Sequence, residues 1–174
     1  LYSLYYYKNS NLKKESNQIQ TTIEETNKFS SNIIENVKYS TKDINGNEYI
    51  ITAKVGEIDI NDNEVIFLKE VNGIINLNNK NKINISSEFG KYNINNFDTI
   101  FSKNVIIEYL DNQIKGQYLD FSIQRNSMIM SKNVILTNAE NTIKTDVIEI
   151  NLKTKDTKLY MYDNSNKISI ERNN

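Results

Sequence analysis

The chain has 174 residues and a formal net charge of −1. That length suits a single domain, and the near-neutral balance gives no bias toward nucleic acid. Cysteine and histidine are both absent, which excludes disulfides, thiolate and imidazole metal centres, and nucleophiles of the Cys or Ser–His type. No cofactor or metal is expected.

Leu1–Tyr7 is a short apolar and aromatic cluster followed by Lys8, Lys13 and Lys14. It reads either as the outer end of a transmembrane helix, with its tyrosines at the membrane interface, or as an ordinary edge strand or terminus. Residues 8–35 are polar, with Ile19, Ile23, Phe29, Ile33 and Ile34 at approximate helical spacing. This composition reads as a linker, or as a short amphipathic helix along a membrane or partner. The globular part is expected over 36–172. It opens with Val37–Tyr39 as a first strand and Asn45–Asn47 as a turn.

From there the sequence repeats. Four hairpin-like units begin at Ile51, Ile85, Ile114 and Ile143, spaced by 34, 29 and 29 residues. Phe67, Phe101 and Met130 follow with the same 34 and 29 spacings, and Ser102–Ile106 (SKNVI) recurs as Ser131–Ile135. The longer first interval fits the polar run Asn78–Lys82, a loop insertion.

Within each unit the apolar alternation changes parity at the same place. Ile51, Ala53 and Val55 give way to Ile58 and Ile60; Ile83, Ile85 and Phe89 to Tyr92 and Ile94; Ile114 and Tyr118 to Leu119, Phe121 and Ile123; Ile143 and Val147 to Ile148, Ile150 and Leu152. Side chains of a strand point alternately to its two faces, so an unbent strand would turn its apolar set outward after the switch. The chain must bend there, at Gly56 and Gly90 in the first two units and at a bulge without glycine in the others. Polar turns follow, then strands at Glu64–Leu68, Asp98–Ser102, Ser127–Ser131 and Lys158–Tyr162, and further ones at Val71–Leu77, Val105–Tyr109 and Val134–Thr137. Such short spacings leave no room for helical crossovers, so the pairing is expected to be antiparallel and the class all-β.

Carboxylate pairs such as Asp59 with Asp62, or Asp120 with Glu149, have the chemistry of an acid–base site, but charged residues on solvent faces of strands are the background expectation. No enzyme is expected. Asn84–Ser86 is a glycosylation triplet in form only, because it falls within a strand.

The stretches Asn36–Tyr39 and Gly46–Gly56 and the repeated Lys-Asn-Val-Ile strands resemble LptC, the membrane-anchored periplasmic component of lipopolysaccharide export, over about 36–163. The related bridge protein LptA and the periplasmic part of LptD share this cadence. The resemblance implies a twisted, open antiparallel β-jelly roll built from repeated hairpin-like units, anchored in the inner membrane by a single span of which residues 1–7 are the end, with the domain in the periplasm. It implies a non-enzymatic carrier that holds the acyl chains of lipopolysaccharide in an apolar groove. The lipid-facing set would be Ile51, Ala53, Val55, Ile58, Phe67, Ile85, Phe89, Tyr92, Ile94, Tyr118, Phe121, Ile123, Met128, Met130, Ile148 and Ile150. Lipid would pass from an inner-membrane ABC transporter, docked on the N-terminal strands (Val37–Ser40, Glu48–Lys54), to an LptA-like bridge on the last ones (Lys158–Tyr162, Lys167–Ile170). The alternative is a structural β-repeat scaffold of the envelope that binds no lipid and is packed solid.

Overall fold

The structure is a computed structural model that describes residues 32–59, 62–163 and 165–173. The expected anchor and linker, up to residue 31, and Ile60 lie outside the described residues. Among those described there is no helix. Ten strands form one open antiparallel sheet: β1 (Ile33–Lys42), β2 (Glu48–Ile58), β3 (Val65–Asn76), β4 (Lys82–Asn93), β5 (Thr99–Tyr109), β6 (Asn112–Ser122), β7 (Ser127–Thr137), β8 (Asn141–Asn151), β9 (Thr157–Tyr160) and β10 (Ser169–Arg172). β1 to β8 pair in chain order, and both short final strands pair with β8. The all-β, open, jelly-roll-like class expected from the sequence is the one observed. The sheet already includes Ile33–Glu35, which pair with Glu57, Gly56 and Val55, so the domain starts three residues inside the span read as linker.

The expected short strands merge. Glu64–Leu68 and Val71–Leu77 form the single β3, and β5 and β7 likewise span both of their expected halves. Each join is marked by left-handed backbone in a residue other than glycine: Glu70 (φ 54°) in β3, Lys103 and Asn104 (61° and 49°) in β5, Lys132 and Asn133 (68° and 55°) in β7, with Asn36 (53°) doing the same in β1. The repeated SKNVI sequence is thus a bent corner. β5 and β7 each carry one residue more than their neighbours there, which is where the ladders slip register, between Ser102 and Val105 and between Ser131 and Val134.

These corners fold the long strands in half. In β2, β3, β4, β6 and β8 successive inward residues are normally two apart but three apart at the corner: Ala53 to Gly56, Leu68 to Val71, Ser87 to Gly90, Gly116 to Leu119, Thr145 to Ile148, all buried. In β5 and β7 the step is four, Phe101 to Val105 and Met130 to Val134. The extra residues all face the convex side, where the path around a bend is longer. One half of the bent sheet therefore lies over the other. Tyr49 in β2 and Phe121 in β6 are four strands apart, about 19 Å in a flat sheet, yet their rings are 5.9 Å apart.

The glycine corner is a correction. Gly56 and Gly90 do not have left-handed φ; they are inward positions where a side chain does not fit. A Cβ on Gly56 would lie 2.7 Å from Val37 Cγ2, and one on Gly90 3.2 Å from Val71 Cγ2. The inward residue before the corner is also small in β2, β4, β6 and β8, at one repeat position: Ala53, Ser87, Gly116 and Thr145. Ser87 Oγ donates to Phe89 O (2.8 Å), and Thr145 Oγ1 to Tyr160 O (2.9 Å), so both hydroxyls are satisfied inside the fold.

Gly56→Ala is expected to destabilise the domain by about 1–3 kcal/mol, because the stiff Val37 side chain must move. Asn104→Val should cost about 1–2 kcal/mol, whereas Asn104→Gly should be neutral or stabilising. Urea unfolding midpoints at constant slope check both.

Candidate functional site

The interior between the folded halves is one apolar cluster. Of the expected lipid-facing set, Ile51, Ala53, Ile85, Tyr92, Phe121, Met128, Met130 and Ile148 are buried in it, and Ile58, Ile123 and Ile150 pack against its border. The other five are corrections. Val55, Phe89 and Tyr118 share one repeat position just past the corner and stand on the outer face, Phe89 beneath Lys103 Nζ (4.9 Å from the ring centre) and Tyr118 beneath Lys132 Nζ (5.7 Å). Val147, at the same position in the last unit, is buried but outside the main cluster. Phe67 is 44% exposed on the outer face. β3 lacks the extra corner residue of β5 and β7, so Leu68, not Phe67, takes the inward place that Phe101 and Met130 hold. Ile94 lies exposed in the turn after β4.

Where the layers meet away from the corners, a crevice is lined by Tyr39, Tyr49, Ile51, Gly73, Ile85, Tyr92, Phe97, Phe101, Phe121 and Ile123, among others. Its cavity volume is about 20 Å³, room for about one water molecule. Two aromatic pairs close it: Tyr39 stacks on Tyr92 at 4.8 Å, and Tyr49 tilts against Phe121. Among the described residues no backbone hydrogen bond ties one layer to the other along this side. The layers are joined covalently and by ladder bonds around the corners, and by side-chain packing alone at the crevice.

Tyr39, Tyr49 and Phe97 were not in the expected set. Tyr49 shares parity with Ile51 and Ala53, so continuing the alternation toward the turn would have found it. Phe97 gave no such signal, since it sits in a polar turn with φ 62°. Its repeat equivalents, Asn126 (51°) and Lys155 (68°), are also left-handed. An aromatic residue there bears a backbone cost that asparagine largely avoids, and its ring packs against the core.

Tyr49 is held by the β1–β2 turn. Its hydroxyl donates to Asp43 Oδ2 (2.9 Å), and Asp43 also accepts from Asn47 Nδ2 (2.7 Å) and from the backbone N–H groups of Asn45 and Asn47 (2.9 Å each). Burial pushes the Tyr49 hydroxyl up, and its bond to Asp43 and that carboxylate's charge push it further, to about 12. Burial acts upward on Asp43 too, but the bonds from Asn47, Tyr49 and Asn45 outweigh it and hold the carboxyl below its ordinary value.

Among the described residues no group of three or more carboxylates is placed to hold a metal ion. Asp120 and Asp98 both receive Arg125 Nη2, at 2.8 and 3.4 Å, an exposed structural bridge. No family model matches the sequence, and no curated protein matches it.

Tyr49→Phe is expected to cost about 1 kcal/mol near neutral pH. A carboxyl lowered by folding contributes stability that is complete above its unfolded value, about pH 4, and is lost as pH falls through the lower folded one. The difference between the wild type and Tyr49→Phe should therefore shrink below about pH 4, as read from urea midpoints against pH.

Proposed function

We propose that this domain is a non-enzymatic lipid carrier of the bacterial envelope, in keeping with its resemblance to LptC, and that acyl chains of lipopolysaccharide enter between the two layers at the aromatic crevice. The observation that carries this reading is the asymmetry of the fold. One continuous sheet is doubled over, every ladder bond runs around the corners, and only side chains join the layers at the crevice. Parting Tyr39 from Tyr92 and Tyr49 from Phe121 opens an apolar interior without breaking a backbone bond. Each methylene transferred from water to that interior contributes about 0.8 kcal/mol, which offsets the packing between layers that opening gives up.

In this reading the chain is anchored in the inner membrane by a span ending at residues 1–7, with the domain in the periplasm. The inner-membrane ABC transporter docks on β1, which is the N-terminal edge of the sheet among the described residues. β2 is paired on both sides and is no edge, which corrects its expected role. The LptA-like bridge docks on β9 and β10, which cover the outer edge of β8.

The closed interior favours a second reading, a packed envelope scaffold that uses the same edges and carries no lipid. Photo-crosslinking in cells separates the two. A photoreactive residue at Phe121 or at half-buried Tyr49 is expected to yield a lipopolysaccharide adduct, and one at the exposed turn residue Gln124 none. Absence of adducts at all three positions, in a folded and membrane-localised protein, selects the scaffold.

A further inference from the structure

The sheet's outer face carries a second concavity, on the side opposite the crevice. It spans β2 to β5, has a cavity volume of about 200 Å³, and is floored by Val55, Phe67, Phe89 and Ile100. Lys69, Lys91, Glu57 and Ser102 stand around it, and Leu68 and Gly90 complete its lining. It is ten times larger than the crevice and open to solvent.

Its charge is one-sided. Lys91 Nζ lies 5.8 Å from the centre of the Phe67 ring, and Lys103 Nζ lies 4.9 Å from that of Phe89. Lys69, Lys91 and Lys103 form no ion pair among the described residues. The nearby carboxylates are engaged elsewhere: Glu70 pairs with Lys54 (2.9 Å), Glu88 accepts from Asn104 Nδ2, and Asp120 holds Arg125. Glu57 is the one carboxylate of the lining. An apolar hollow floored by aromatic rings, with two unpaired ammonium groups in its lining and that of Lys103 beside it over Phe89, suits a ligand that is apolar at one end and negatively charged at the other. The concave shape suits a discrete chain rather than a flat bilayer surface.

We propose that this outer concavity is a binding site for a single amphiphile with an anionic headgroup, the alkyl chain lying on Val55, Phe67, Phe89 and Ile100 and the head on Lys69 and Lys91. The site is distinct from the interior cleft, because Val55, Phe67, Phe89, Lys69 and Lys91, the residues proposed to hold the ligand, stand on the outer face. Phe67, whose outward turn follows from the missing corner residue of β3, is its central contact.

The test is calorimetric titration of the full chain with dodecyl phosphate below its micelle-forming concentration. Saturable one-to-one binding is expected. Phe67→Ser and Lys91→Glu should each weaken it at least about tenfold, and dodecyltrimethylammonium should bind at least about tenfold more weakly than the phosphate. Both outer residues are exposed enough for the variants to keep the wild-type melting temperature within a few degrees, which is measured alongside. The proposal is overturned by the absence of saturable binding, by equal affinity for the cationic amphiphile, or by binding that survives Phe67→Ser and Lys91→Glu.

Discussion

The pleat is the constraint on which this structure depends. A strand that alternates its side chains can bury only every second residue, and strands of 10 to 12 residues can cover both sides of one core only if they turn over midway. In β2, β4, β6 and β8 the solution is a small inward residue, then two consecutive outward residues, then inward again; β3 makes the same step after Leu68, and β5 and β7 step over three residues after Phe101 and Met130. Ala53, Ser87, Gly116 and Thr145 leave room on the concave side, where bulk would crowd side chains of the neighbouring strand turned in at the corner. Met130 makes the point, since a Cβ on Gly116 would approach its sulfur to 2.7 Å. On the convex side Lys103, Asn104, Lys132 and Asn133 take up the longer path in left-handed backbone, as Glu70 and Asn36 do in β3 and β1, whereas the glycines at the corners serve space and not φ.

The bend also decides how the molecule holds together. All ladder bonds lie within one sheet, so away from the corners cohesion between the layers rests on burial, with side chains such as Phe101, Leu119 and Ile148 at 0–1% exposure each contributing roughly 1.5–3 kcal/mol. A closed barrel would share its hydrogen bonds around the whole circumference and could not part on one side. A doubled sheet separates the two functions: backbone bonds at the corners and side-chain packing at the crevice. At the C-terminal edge, β10 continues one layer by pairing with Asn141–Lys144 while β9 continues the other by pairing with Val147–Ile150, so the split between layers is carried through the last strands.

Much of this was legible in the sequence. The repeat spacing, the parity switch and the closeness of the turns lead to an antiparallel sheet of bent strands, and most of the core follows from the alternation. What was hidden has one main cause: glycine, serine and threonine carry no hydrophobic signal, although they occupy inward positions. With Gly56 read as punctuation, Val55 looks like the last inward residue, and the switch is placed two residues late; Gly116 hides Tyr118 in the same way. The spacing of Phe67, Phe101 and Met130 misled for a related reason. Equal separation in sequence is equal position in the fold only when the units have equal corners, and β3 has one residue fewer at its corner than β5 and β7.

The places where the repeat fails are also where the surface acquires character. Polar caps at one repeat position, Asn93, Ser122 and Asn151, each accept backbone N–H groups at the start of a turn. Two of those turns then place Asn126 and Lys155 in left-handed backbone, a conformation such residues tolerate. The third places Phe97 there. Turn closure does not need an aromatic ring, and an asparagine would carry less strain. The cost is met by what the ring does, which is to close the crevice beside Tyr39, Tyr49 and Phe121. Phe67 departs from the pattern in the opposite sense, presenting to solvent a ring that its counterparts bury. A copied unit supplies the sheet, and the deviations from it, one turned inward and one outward, supply the two apolar surfaces on which binding is argued.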